Sequence, residues 1–203
     1  MKIILFDFDG TIADSLQENF KIANKLAAKF GIRTAEESEL EKLRGMNARE
    51  IIRYFKIPFY KLPFIVKAYY DHRSLSIPAL VDGLKPVLKI LKSRGYILAI
   101  VSSNSKERIQ AFLDKHAIGE FNSIRSEKSF FGKDKAIKKE FIKYNSKPTE
   151  TVYVGDEARD IEAARKAGVR IISVTWGFNT KKLLAQNKPD YMTDTPSDLL
   201  KML

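Results

Sequence analysis

The sequence contains no cysteine. Disulfides, thiolate nucleophiles and zinc–thiolate sites are therefore excluded. Histidine is nearly absent as well. His72 and His116 are the only two, and they are not spaced as a metal pair. His72 reads as surface or packing. His116 reads as a residue at a helix C-terminus, where the dipole favours it. The single tryptophan, Trp176, follows an apolar stretch, and packing is its expected role. No apolar run approaches the length of a membrane span. The N-terminus also lacks the basic and long apolar segments of a secretory signal. The expected location is the cytoplasm, and no membrane partner is expected.

Charge is plentiful but unbalanced. The 203 residues include 36 Lys and Arg against 25 Asp and Glu, a net charge of +11. Most of the excess falls after residue 82. A basic protein attracts anions at long range, and both nucleic acids and phosphate esters qualify. The lysine-rich stretch from Lys128 to Lys147 lacks regularly interleaved stacking aromatics. A solvated helix face is therefore preferred there over a nucleic-acid track. The length suits one sizeable core and a small accessory domain.

Ile3-Ile4-Leu5-Phe6 reads as a buried strand. From there to residue 82 the pattern is helical. Ser15-x-x-Glu18 reads as a capping box, with Leu16, Phe20, Ala23, Leu26 and Phe30 at helical spacing. Further helices are expected over 36–43, after an Asn47-x-x-Glu50 cap, and over 64–70. No strand is expected between Ile12 and Asp82. From Gly83 helices alternate with apolar strands. Helices are expected over 86–93, 106–115, 133–144 and 158–167, and Pro196 opens a last one at its N1 position. Strands are expected over 96–101, 151–154 and 170–174, with shorter ones at 121–124 and around Tyr191.

Apolar strands alternating with helices imply a parallel sheet covered on both faces. The expected fold is α/β: a Rossmann-like sheet flanked by helices, built from residues 1–13 and 83–203. Residues 14–82 form a small α-helical cap inserted after the first strand. Right-handed crossovers place every strand C-end on one edge, where ligands bind.

Four polar clusters fall at that edge. The first is Asp7-Phe8-Asp9-Gly10-Thr11. Carboxylates at i and i+2 lie on one side of an extended chain, which is costly unless a cation sits between them. Gly10 lets the backbone turn, and Thr11 offers a hydroxyl and an amide. The arrangement suits a strand end that holds a divalent metal and faces a phosphate. The second cluster is Ser102-Ser103-Asn104, after an apolar strand. The third is Phe131-Gly132-Lys133, opening a helix. The fourth is Val154-Gly155-Asp156-Glu157-Ala158-Arg159-Asp160. Each is weak alone, and the signal is their shared position in this order.

With these four motifs the chain resembles the haloacid dehalogenase-like superfamily of phosphotransferases over essentially its whole length. The helical insertion resembles the subgroup with an α-helical cap, which contains phosphoglycolate-phosphatase-like enzymes and β-phosphoglucomutase. The resemblance implies a Mg²⁺-dependent phosphatase acting on a small phosphorylated metabolite through an aspartyl-phosphate. The candidate substrates are phosphoglycolate-like compounds, sugar phosphates and nucleotides. Asp7 is then the nucleophile and a metal ligand. Asp9 is the general acid and base, and its backbone carbonyl also ligates the metal. Thr11, Ser103 and Asn104 bind the phosphate, with Ser102 replacing Ser103 if the strand ends one residue earlier. Lys133 neutralises charge on the nucleophile and phosphoryl group. Asp156 is the acidic metal ligand, supported by Asp160 or by Glu157. Mg²⁺ prefers oxygen ligands in octahedral geometry and removes the repulsion between a phosphate dianion and a carboxylate.

An acid at position 9 argues against the dehalogenase branch, which lacks it. Arg44, beside Gly45 in the cap, is a candidate contact for an anionic part of the substrate. A phosphomutase of the β-phosphoglucomutase kind shares every residue named here. A non-catalytic anion- or nucleic-acid-binding protein is the reading from another class. The charge of +11 motivates it, and the intact acid pair opposes it.

Overall fold

The computed structural model describes residues 2–73, 76–127 and 132–203. Lys128 and Phe131, named above in the lysine-rich stretch and the third motif, lie outside the described residues. Six parallel strands form the central sheet: β1 (Ile3–Phe6), β4 (Ile97–Ser102), β5 (Ser123–Ser126), β6 (Thr151–Gly155), β7 (Arg170–Val174) and β8 (Tyr191–Thr193), in the order β5-β4-β1-β6-β7-β8. β1 sits at the centre, with Ile3 opposite Ile97 on one side and Thr151 on the other. Its side chains alternate between two cores, as a pleated strand requires. Ile4 and Phe6 pack with Leu98, Ile100, Val152 and Val154. Ile3 and Leu5 pack with Ala99, Val101 and Tyr153 on the opposite face.

The remaining helices close the two faces. They are α5 (Leu84–Ser93), α6 (Lys106–Lys115), α7 (Lys133–Lys143), α8 (Ala158–Ala167), α9 (Lys181–Gln186) and α10 (Leu199–Met202). Four others lie between β1 and α5: α1 (Leu16–Lys29), α2 (Leu40–Arg44), α3 (Ala48–Tyr54) and α4 (Leu62–Arg73). The Asn47 side chain accepts from the Arg49 and Glu50 amides and completes a capping box with Glu50. Pro63 is tolerated because it falls in the first turn of α4, where the amide has no helical partner. Among the described residues no helix is long and apolar enough to cross a membrane.

Several expectations shift. Two-residue strands β2 (Ala13–Asp14) and β3 (Ala79–Leu80) pair antiparallel at the neck of the helical insertion. A strand that short has no periodicity to read. β4 runs one residue further than expected, to Ser102, and β5 starts two residues later, at Ser123. Helix α9 was not anticipated. Its signal is the Thr180 side chain, which accepts from the Leu183 amide at 3.2 Å. Ser15 occupies the N-cap of α1 but makes no side-chain cap bond. Its hydroxyl is engaged by Asp9 instead.

Candidate active site at the carboxyl edge of the sheet

Asp7 leaves β1 with its amide donating to the Val154 carbonyl at 2.8 Å. This fixes the carboxylate between β1 and β6. Asp7 Oδ1 accepts from the Phe8 amide at 2.8 Å, and Oδ2 accepts from Lys133 Nζ at 2.7 Å. Lys133 is the first residue of α7, and its ammonium also donates to Asp160 Oδ1 at 2.5 Å. Burial alone would lower the Lys133 pKa, but Asp160 and Asp7 outweigh it and hold the ammonium well above the usual lysine range.

Asp156 and Asp160 complete the cluster. Asp160 lies in the first turn of α8, where its Oδ2 accepts from the Glu157 amide at 3.0 Å. Asp156 is fully buried. Its Oδ1 accepts from the Thr11 hydroxyl and its Oδ2 from the Phe178 amide, both at 2.7 Å. A Cβ at Gly10 or Gly177 would collide with the Asp156 carboxyl group, so glycine is what lets both loops close on it. Gly10 also has φ +70, a conformation glycine adopts at little cost.

Carboxylate oxygens of Asp7, Asp156 and Asp160 lie within 4.8 Å of one another. Like charges at that separation repel by about 3.5 kcal/mol per pair at an effective dielectric near 20. Burial, then Glu157, Asp160 and Asp7, push the Asp156 carboxyl well above the usual carboxylate range. Burial also pushes Asp160 up, to about 6, against the pull of Lys133. Three carboxylates face one ammonium here. With all three ionised the excess is two negative charges, the complement of a divalent cation. All the donors are oxygens, which suits a hard cation. These residues fit a divalent metal.

Asp9 stands beside this cluster. Its Oδ1 accepts from the Ser15 hydroxyl at 3.1 Å, and its Oδ2 accepts from the Asn104 side-chain amide. Ser102, the last residue of β4, is buried, and its hydroxyl accepts from the Asn104 amide at 3.2 Å. Ser103, just beyond the strand, is only half-buried. The hydroxyl of Ser102 thus serves the loop, and that of Ser103 is nearer solvent.

Other candidate residues make contacts that the sequence does not signal. The Thr11 hydroxyl donates to Asp156. Glu157 is the N-cap of α8 and is ion-paired with Arg159 at 2.5 Å. Arg44, the candidate substrate contact, is engaged by the protein's own groups. Its guanidinium donates to the carbonyls of Gly177 at 3.0 Å and Phe178 at 3.3 Å, and to Glu41 at 2.7 Å. Its own carbonyl accepts from the Thr180 amide at 3.1 Å. The carbonyls of the 175–178 loop are acceptors close at hand, and a guanidinium has only donors to offer them. Sequence reasoning weighed Trp176 of this loop only for packing and Ser15 only as a helix cap, and missed what both segments do at the site. The Phe178 contribution comes from a backbone amide, which leaves no residue-type signature.

The sequence pattern of the haloacid dehalogenase-like hydrolases matches residues 4–174. A phosphoglycolate phosphatase from Synechococcus elongatus is 36% identical, covering 98% of this chain and 96% of its own. A crystal structure described as a predicted phosphoglycolate phosphatase from Haemophilus somnus superposes with a TM-score of 0.78 at 26% identity, covering 100% of this chain and 97% of its own. A predicted phosphatase from Clostridium acetobutylicum shares the fold with a TM-score of 0.83 at 23% identity, covering 99% and 97%.

Proposed function

Because the chain belongs to the haloacid dehalogenase-like hydrolases and is a phosphatase, we propose that it hydrolyses a small phosphate monoester with Mg²⁺ through an aspartyl-phosphate on Asp7. Phosphoglycolate stands first among the substrates, on the name of the Synechococcus relative. One observation carries the reading: a buried carboxylate cluster with a single lysine, and a second acid, Asp9, held beside it.

Asp7 and Asp156, with the Asp9 backbone carbonyl, would hold Mg²⁺, and Asp160 would support them. The bound ion would offset the repulsion between a phosphate dianion and Asp7 and align the two. An Asp7 carboxylate oxygen attacks phosphorus as the P–O bond to the leaving group breaks. Asp9 gives its proton to the leaving oxygen and then takes one from the water that cleaves the acyl phosphate. Ser15 and Asn104, which donate to the two Asp9 oxygens, would hold that carboxyl in place for both transfers. Lys133 stays protonated through the cycle and offsets charge as it builds on the phosphoryl oxygens. Ser103 donates to those oxygens. Thr11 acts through Asp156.

The test is phosphate release from phosphoglycolate and para-nitrophenyl phosphate, with Mg²⁺ and with EDTA, for wild type and Asp7→Asn. Turnover should require Mg²⁺ and fall roughly a thousand-fold or more in Asp7→Asn, as expected for loss of a nucleophile. Turnover that persists in EDTA or in the variant rejects the mechanism. A folded, Mg²⁺-loaded protein that releases no phosphate from any monoester rejects the reading.

A further inference from the structure

A second group of buried polar atoms lies one helical turn from the reacting acid. Asn19 follows Ser15 by a turn, its amide donating to the Ser15 carbonyl at 2.9 Å. Ser15 is the residue that holds Asp9. The buried Asn19 side chain accepts from the Tyr69 hydroxyl at 2.8 Å, which ties α1 to α4. Its own Nδ2 is buried and has no hydrogen-bond partner among the described residues. Across from it, Arg108 sits in the first turn of α6, three residues past the Ser105 cap that follows Asn104. Arg108 Nε and Nη1 are also buried without a partner. Asn19 and Arg108 each follow by four residues a side chain that holds one oxygen of Asp9, Ser15 on Oδ1 and Asn104 on Oδ2.

Buried donors without partners are costly, and more so on a charged group. Desolvation lowers the Arg108 pKa, and Glu18 and Tyr69 only partly oppose it. A structure that leaves three donors in this state beside its reacting acid holds a place for something that accepts. The other cations at this edge are occupied. Lys133 serves Asp7 and Asp160, Arg44 serves the 175–178 loop, and Arg159 pairs with Glu157. Among the described residues, the unpartnered acceptor that acts on Arg108 is Glu18 Oε1. An occupant therefore accepts at more points than it donates.

We propose that Arg108 and Asn19 form the leaving-group subsite and that it takes a carboxylate, making Arg108 the residue that selects a short phosphorylated hydroxy acid over neutral phosphate esters. This rests on the phosphatase reading above. A phosphate on Asp7 places the leaving oxygen at Asp9. A carboxylate one or two carbons further on then falls between α1 and α6. Glu18 disfavours longer or more highly charged tails in the same space.

The experiment compares kcat/KM for phosphoglycolate and para-nitrophenyl phosphate in wild type, Arg108→Gln and Arg108→Lys. Arg108→Gln should lose about a hundred-fold on phosphoglycolate and less than about three-fold on the nitrophenyl ester, consistent with a charge-assisted pair to substrate. Arg108→Lys should recover part of the loss. A measurement on wild type alone covers the case in which the variants do not fold. Glycolate should inhibit nitrophenyl ester turnover, and ethylene glycol at equal concentration should not. Equal losses on both substrates, or equal effects of the two inhibitors, overturn the subsite while leaving the phosphatase intact. Recovery of phosphoglycolate preference in Arg108→Gln/Glu18→Gln also overturns it, since Arg108 and Glu18 would then be only an ion pair. No hydrolysis of phosphoglycolate by a wild type that turns over other monoesters overturns the subsite alone, and no hydrolysis of any monoester overturns the subsite and the phosphatase reading together.

Discussion

Lys133 carries the densest chemistry of any residue in the chain. Its ammonium joins two buried carboxylates, and it stays charged because they outweigh its own desolvation. Removing one partner of such a pair is more damaging than the pair was stabilising, since the remaining charges stay buried. Lys133→Met should therefore lower stability by about 3 kcal/mol, toward the low end of measured cases because Asp160 can take up a proton. It should also reduce kcat at least a hundred-fold. Thermal denaturation and steady-state kinetics read the two effects separately. An unchanged midpoint would mean that the ion pairs contribute nothing to the fold. The residues at this site were singled out by the shared place of their motifs near strand ends and helix starts, and their roles only by the resemblance. Their partners were not. Thr11 and Asp156 are 145 positions apart, and a hydroxyl donates to whichever acceptor the fold brings close. For the same reason Ser15 serves Asp9 instead of capping its own helix.

At the scale of elements, the end of α2 and the loop before α9 form a clasp. Arg44 donates into the loop, and the Asn179 side chain and Thr180 amide donate back to the Arg44 carbonyl at 3.2 and 3.1 Å. The same loop delivers the Phe178 amide to Asp156. The clasp thereby ties the end of α2 to a carboxylate of the cluster. Arg44→Ala removes several hydrogen bonds of about 1 kcal/mol each. Its expected effect is a loss of roughly ten-fold in kcat/KM that is equal for phosphoglycolate and para-nitrophenyl phosphate. A loss confined to phosphoglycolate would instead make Arg44 a substrate contact. Elements with strong periodicity were readable here: α1, α8, β1 and β7 fall within a residue of expectation. The clasp was not, because α9 has six residues and its apolar face is two leucines. The neck strands β2 and β3 are shorter still. Tertiary pairing, which no local pattern encodes, is what makes them strands.

For the molecule as a whole, the carboxylate cluster is a site of stored repulsion. The sheet brings β1 and β6 together in register, and that pairing forces Asp7 and Asp156 onto one edge. The fold is built at the expense of its own electrostatics there, which natural sequences accept at functional positions. The consequence is a stability that depends on metal. A cation bound only by the native state adds RT ln(1 + [M]/Kd), about 2.7 kcal/mol at a hundred-fold excess over Kd. Wild type should therefore melt at progressively higher temperature as Mg²⁺ is raised, and EDTA should reverse the shift. Asp156→Asn separates the two sides of the argument. It removes a carboxyl whose charged form burial and the neighbouring acids already disfavour. The metal-free variant should consequently be as stable as wild type or more so. Its melting temperature should no longer respond to Mg²⁺, and its turnover should be lost. A variant that melts lower than metal-free wild type would show that the Thr11 and Phe178 hydrogen bonds to this carboxylate outweigh the repulsion around it. A wild type indifferent to Mg²⁺ would mean that the cluster holds no cation at all.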